Sequence, residues 1–152
     1  MKKFLLIAAT LVVTTFSAAS YAQFAKPDDA AKYRQSAMTV MARHFGAVGA
    51  MAAGRIPFDA KAAQENIDIA VFVSKLPWAG FGPSGEGATI KNGSKPEIWK
   101  EQATFKDLSE KMQAELIKVQ TAAKTGNLDT IKAAFGAAGA SCKACHDAFR
   151  NI

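Results

Sequence analysis

Cys142, Lys143, Ala144, Cys145 and His146 form a C-x-x-C-H run close to the C-terminus. This run constrains the fold more than any other feature of the chain. Its two thiols are placed to bond the two vinyl groups of one porphyrin, and the next residue offers an imidazole to the iron, which is the attachment signature of a c-type haem. His146 is then the proximal iron ligand, and its identity helps set the iron's chemistry. The chain has 2 cysteines, and the motif uses both.

Other meanings of C-x-x-C fit less well. A thioredoxin-like redox pair accompanies a βαβ pattern, and no strand-like run lies near. A structural zinc site needs four ligands, whereas the only other histidine is His44. A plain buried disulfide leaves the adjoining histidine and the helical surroundings without a role.

The first 22 residues read as an export signal rather than as part of the fold. Lys2 and Lys3 supply a positive start, Phe4 to Val13 a short apolar core, and Ser20-Tyr21-Ala22 a small-x-small cleavage site. The apolar stretch is too short to span a bilayer, so no membrane anchor is expected in the mature form. Export together with haem attachment implies the bacterial periplasm. Removing Lys2 and Lys3 lowers the formal net charge from +6 to +4, and haem propionates would lower it further. No basic run interleaved with aromatics occurs, so nucleic-acid binding has no support.

Residues 23–152 suffice for one domain, and apolar spacing predicts four helices in it. The first starts near Pro27 with Asp28 and Asp29 in its first turn. Its stripe is Ala30, Arg34, Ala37, Met38, Met41, Phe45, Val48 and Ala52, and Gly54 and Pro57 end it. The second runs from an Asp59 N-cap to Leu76, before Pro77. Its segment from Ile67 to Val73 is apolar on nearly every side except at Asp68, more than one buried face requires. A second copy of the chain would cover the excess. A loop rich in Gly and Pro, holding Trp78 and Phe81, spans residues 77–95. The third helix is expected to start at Ser94 in a capping box completed by Glu97, with Ile98, Gln102, Phe105, Met112, Leu116, Val119 and Ala123 along its stripe. Gly126 and Asn127 precede the fourth, which carries Leu128, Ile131 and Phe135, a run of small residues, and the C-x-x-C-H motif. The expected fold is therefore all-α, an antiparallel up-down-up-down four-helix bundle with covalently bound haem c in its core. Small residues before Cys142 would let the porphyrin approach the fourth helix closely.

Lys32-Tyr33-Arg34-Gln35-Ser36, Leu76-Pro77-Trp78, Lys95-Pro96-Glu97 and the C-terminal Cys142 to His146 resemble the cytochrome c' family. The resemblance covers essentially all of residues 23–152. It implies a four-helix bundle, a homodimer packed through the first two helices, and a five-coordinate, high-spin haem whose apolar distal side binds nitric oxide or carbon monoxide. It implies electron transfer as a further role, with the redox partner unspecified. By resemblance Arg34, Gln35 and Lys95 lie near the haem propionates, Met38 covers the open iron face, Phe81 and Phe105 line the haem pocket, and Arg150 lies near the proximal imidazole.

Some of these residues have independent readings. Arg34 interrupts an apolar stripe, so its guanidinium needs an anion, or else its stem lies on the core while its head reaches water. Met38 is either an unligated cover or a second iron ligand, which would make a six-coordinate, low-spin electron carrier with His146/Met38 ligation. His44 falls at the edge of the first stripe and reads as partly exposed. The first stripe has no His/Arg pair suited to splitting peroxide, so the chain reads as a haem protein rather than an enzyme.

Overall fold

The computed structural model describes residues 23–151; the export signal expected over residues 1–22 lies outside them. Helix α1 spans Pro27–Ala52 and α2 spans Ala60–Val73. Two 3-10 turns, Pro77–Phe81 and Pro83–Gly85, follow. A single helical turn, α3, covers Glu97–Lys100, and two long helices, α4 (Gln102–Ala123) and α5 (Leu128–Phe149), complete the fold. No strand occurs among the described residues, which contain one isolated backbone bridge, between Ser94 and Arg150. None of their helices is long and apolar enough to cross a membrane.

The four long helices form the expected bundle. α1 packs on α2, α2 on α4, and α4 on α5, while α1 and α5 touch more sparingly. The core joins Val48 of α1, Ile67 of α2, Leu116 and Val119 of α4, and Ile131 of α5. Burying each such side chain favours the fold by roughly 1.5–3 kcal/mol. α1 and α5 meet where Phe45 stacks on Phe135, with centroids 4.3 Å apart. Gly49 permits this approach, because a Cβ there would fall 2.5 Å from Phe135 Cζ.

Local chemistry explains most of the helix ends. The Asp59 carboxylate accepts from the Ala62 amide at 2.8 Å, as its N-cap role requires. Asn127 does the same for α5, accepting from the amides of Asp129 and Thr130 at 2.8 and 3.1 Å. α2 stops at Val73 rather than Leu76. The Ser74 hydroxyl turns back to the Val71 carbonyl at 2.8 Å, and the Ser74 carbonyl accepts from Trp78 Nε1 at 2.6 Å.

The expected capping box at Ser94 does not form. Pro96 occupies the N-cap position of α3 without a side-chain bond, because Ser94 is extended and engaged in the bridge to Arg150. Nor is the third helix continuous from there. The chain leaves helical geometry at Glu101 (φ −117°, ψ 45°), and Gln102 Nε2 donates to the Ile98 carbonyl at 2.7 Å across the break.

Candidate functional site

A cavity of about 800 Å³ lies between α1, α4, α5 and the loop after α2. Helical spacing builds its walls. α1 contributes Arg34, Gln35, Met38, Met41 and Phe45; α4 contributes Phe105, Ser109 and Met112; α5 contributes Gly139, Cys142, Cys145, His146 and Phe149. Residues three or four apart stack along one helix face, so an apolar stripe becomes a wall. Trp78, Phe81, Phe105 and Phe149 form a continuous aromatic cluster, with centroid separations of 6.1 Å for Trp78–Phe81, 4.8 Å for Phe81–Phe105 and 5.3 Å for Phe105–Phe149.

Both thiols and the imidazole stand on the α5 wall. Burial pushes the Cys142 thiol above its ordinary value, with small opposing hydrogen bonds. It does the same to Cys145, and neighbouring Cys142 adds to the effect. Partial burial lowers the His146 pKa, the Arg150 guanidinium lowers it further, and Asp147 opposes both. A neutral imidazole is the form that ligates a metal. Among the described residues no cluster of three or more His, Cys, Asp or Glu side chains could hold a bare metal ion.

Arg34 is the polar anchor of the cavity. It is 2% exposed, and Nη1 donates to the carbonyls of Gly80 and Gly85 at 2.7 and 3.2 Å. The guanidinium carbon lies 4.9 Å from the Phe81 ring centroid and 5.6 Å from that of Trp99. Nε and Nη2 have no protein partner, and burial lowers the Arg34 pKa. Buried donors on a cation call for an anionic acceptor. A large apolar cavity, two thiols with an adjoining imidazole on one wall, and a buried cation with spare donors together fit a flat apolar macrocycle bearing carboxylates.

The structure brings Arg34, Gln35, Met38, Phe81, Phe105, Cys142, Cys145, His146 and Arg150 to this one cavity. Lys95 is the exception among the expected contacts. It is not among the lining residues, and its ammonium donates to the carbonyls of Asp147 and Ala148 at 2.9 and 3.2 Å. There it satisfies open carbonyls at the end of α5. Gln35 lines the cavity while its Nε2 donates to the Lys91 carbonyl at 3.0 Å. His44 stands outside the cavity, half-buried, with Nδ1 2.9 Å from Asn66 Oδ1. The lining also includes Trp78, Ser109 and the loop residues Asn92, Gly93 and Ser94. Ser109 could have been found from its place four residues after Phe105; the loop residues carried no periodic signal.

The family model described as Cytochrome C' matches residues 29–150. Cytochrome c' from Alcaligenes xylosoxydans xylosoxydans is 49% identical over 128 residues, covering 84% of this chain and 98% of the relative. A crystal structure of cytochrome c' from Rubrivivax gelatinosus superposes with a TM-score of 0.79 at 48% identity, covering 85% of this chain and 100% of the other. A cytochrome c prime variant from Alcaligenes xylosoxidans, solved as its nitric oxide complex, gives a TM-score of 0.79 at 48% identity, covering 86% and 99%. The chain belongs to the cytochrome c' family, whose members carry a covalently attached c-type haem.

Proposed function

We propose that this chain is an exported haem protein that takes up a small neutral gas, nitric oxide or carbon monoxide, at a five-coordinate, high-spin iron, and that it passes electrons rather than acting as an enzyme. Cys142 and Cys145 hold the haem through thioethers, and His146 is the proximal ligand. When bound, the haem supplies an iron that exchanges ligands and one electron. Arg34 directs Nε and Nη2 at a propionate, Gln35 adds a donor nearby, and Arg150 stands on the His146 side. Met38, Phe81 and Phe105 exclude water and anions from the opposite side. Lys95 contributes from a distance, by fixing the end of α5.

The carrying observation is the asymmetry of the cavity walls. α5 offers an imidazole, while the facing walls of α1 and α4 offer no second one: beside thioethers and aromatic rings, their polar groups are the Arg34 cation, the Gln35 amide bonded to Lys91, and the Thr39 and Ser109 hydroxyls donating to their own helices. His44, the one other imidazole, is held away by Asn66. Support for gas binding comes from the relative solved as its nitric oxide complex. Export to the periplasm rests on the pattern of residues 2–22. Dimerisation through α1 and α2 is supported by Val40, Ile69, Phe72 and Leu76, which are 43%, 40%, 68% and 36% exposed.

The second reading, a low-spin carrier with Met38 as sixth ligand, rests on the Met38 thioether lining the cavity. Absorption spectra of the ferric and ferrous protein separate the two. The proposal expects high-spin bands and a Soret shift when carbon monoxide meets the ferrous form. A low-spin ferric spectrum with a methionine–iron charge-transfer band and no response to carbon monoxide would reject it.

A further inference from the structure

The segment 86–95 runs from the start of α1 to the C-terminal end of α5. It is fastened at both ends by different means. On α1, Asp28 accepts from the Thr89 amide at 2.7 Å, the Thr89 hydroxyl at 2.9 Å and the Ile90 amide at 3.3 Å. On α5, the attachment is largely backbone to backbone. The Asn151 amide donates to the Gly93 carbonyl at 2.8 Å, the Lys95 amide donates to the Phe149 carbonyl at 3.0 Å, and Ser94 bridges to Arg150. The Lys95 ammonium reinforces that end.

Asn92 and Ser94 wall the large cavity from within and also line a second cavity of about 300 Å³ beside Trp99. The strap is therefore a partition between two spaces. Its α1 end hangs on two surface side chains, the Asp28 carboxylate with three bonds and the Gln35 amide with one to the Lys91 carbonyl at 3.0 Å, whereas its α5 end is part of a main-chain network. Segments held by exposed hydrogen bonds open at the low end of a protein's stability range. We infer that the strap 86–95 is a gate that swings from its α5 end to admit small ligands to the cavity from the α1 side, past Gln35, with Asp28 as the positioning residue that keeps it shut.

This inference rests on the proposed ligand-binding function, and the test separates the two. Carbon monoxide association and dissociation are measured on the ferrous holoprotein, together with amide hydrogen exchange of residues 86–95. Asp28→Ala removes all three bonds. It is expected to speed strap exchange and to raise both carbon monoxide rates by at least about threefold, with affinity nearly unchanged, the signature of a gate rather than of a contact. Thr89→Val removes the hydroxyl bond alone and should act in the same direction more weakly. It also carries the test if Asp28→Ala does not fold. Faster strap exchange with wild-type gas kinetics would overturn the gate, as would unchanged exchange. A wild-type protein indifferent to carbon monoxide would overturn the ligand-binding function and this inference with it.

Discussion

Arg34 donates from Nη1 to the Gly80 carbonyl at 2.7 Å, which ties one nitrogen of a buried guanidinium to the loop and leaves Nε and Nη2 without a protein partner. The same loop is shaped around it. A Cβ on Gly85 would fall 2.1 Å from the Gly80 oxygen and 3.1 Å from Arg34 Nη1. The cation is thus half satisfied by protein, and Nε and Nη2 remain for a carboxylate. Arg34→Lys should still fold, because an ammonium can reach one carbonyl, but it loses the fork geometry. The expected loss in holoprotein stability is about 1.5–3 kcal/mol, the usual worth of hydrogen bonds to a charged group. Thermal unfolding of the ferric protein measures it, and a variant as stable as wild type would remove Arg34 from the propionate site.

Met38 tests the coordination state. With an unligated methionine, Met38→Ala leaves the ferric spectrum high-spin and speeds carbon monoxide association, since no side chain must move aside. Relief of about 1.4 kcal/mol of crowding corresponds to roughly tenfold in rate. A change from low-spin to high-spin on the same substitution would assign Met38 to the iron instead.

Two glycines of α5 separate packing from propensity. Gly136 and Gly139 both have open space where a Cβ would stand, but only Gly139 lines the cavity. Gly136→Ala should raise stability by about 0.5–1 kcal/mol, the ordinary gain of Gly to Ala within a helix. Gly139→Ala gains the same propensity while narrowing the cavity, so haem incorporation should fall. Haem content per chain, from pyridine haemochrome absorbance, decides the point; equal incorporation in both variants would show that the porphyrin does not press against Gly139.

Helix periodicity was sufficient to read the bundle, because a stripe such as Phe105, Met112, Leu116 and Val119 is a local property of the chain. Asp59 could be read as a cap for the same reason: its partner is three residues away. Ser94 could not. Its extended conformation is imposed by Arg150, far along the chain, and that non-local bridge outweighs a local capping pattern. Lys95 follows from the same geometry, since a residue drawn to the end of α5 finds open carbonyls before it finds the cavity. The cofactor motif needed no tertiary information, whereas Asn92, Gly93 and Ser94 reach the cavity only because the strap is tied at both ends.

Phe72 is 68% exposed; Ile69 lies one turn before it on α2, and exposed Leu76 follows just beyond the end of that helix. Ile69 and Phe72 account for the apolar excess between Ile67 and Val73 that one buried face does not require, and Leu76 and Val40 of α1 are exposed apolar side chains as well. Phe72→Glu should leave the monomer fold intact, because the side chain lies outside the core, and should shift the protein from dimer to monomer in sedimentation. A native protein that already sediments as a monomer would refute the interface.

Asp28 gives the strap a defined acid response. Its carboxyl is held below the ordinary value of 3.8, chiefly by the Thr89 amide, then by the Thr89 hydroxyl, with smaller help from the Ile90 amide and from Lys32 and against the effect of burial. A group whose folded pKa is depressed contributes stability that is fully present above its unfolded pKa. That contribution is lost as pH falls through the lower folded pKa. The difference in melting temperature between wild type and Asp28→Ala should therefore be flat from neutral pH down to about 5, and should close progressively below about 4. Effects common to both proteins cancel in the difference. A gap that persists unchanged to about pH 2 would mean that Asp28 acts through shape rather than charge. A gap that closes near neutrality would trace to a different group.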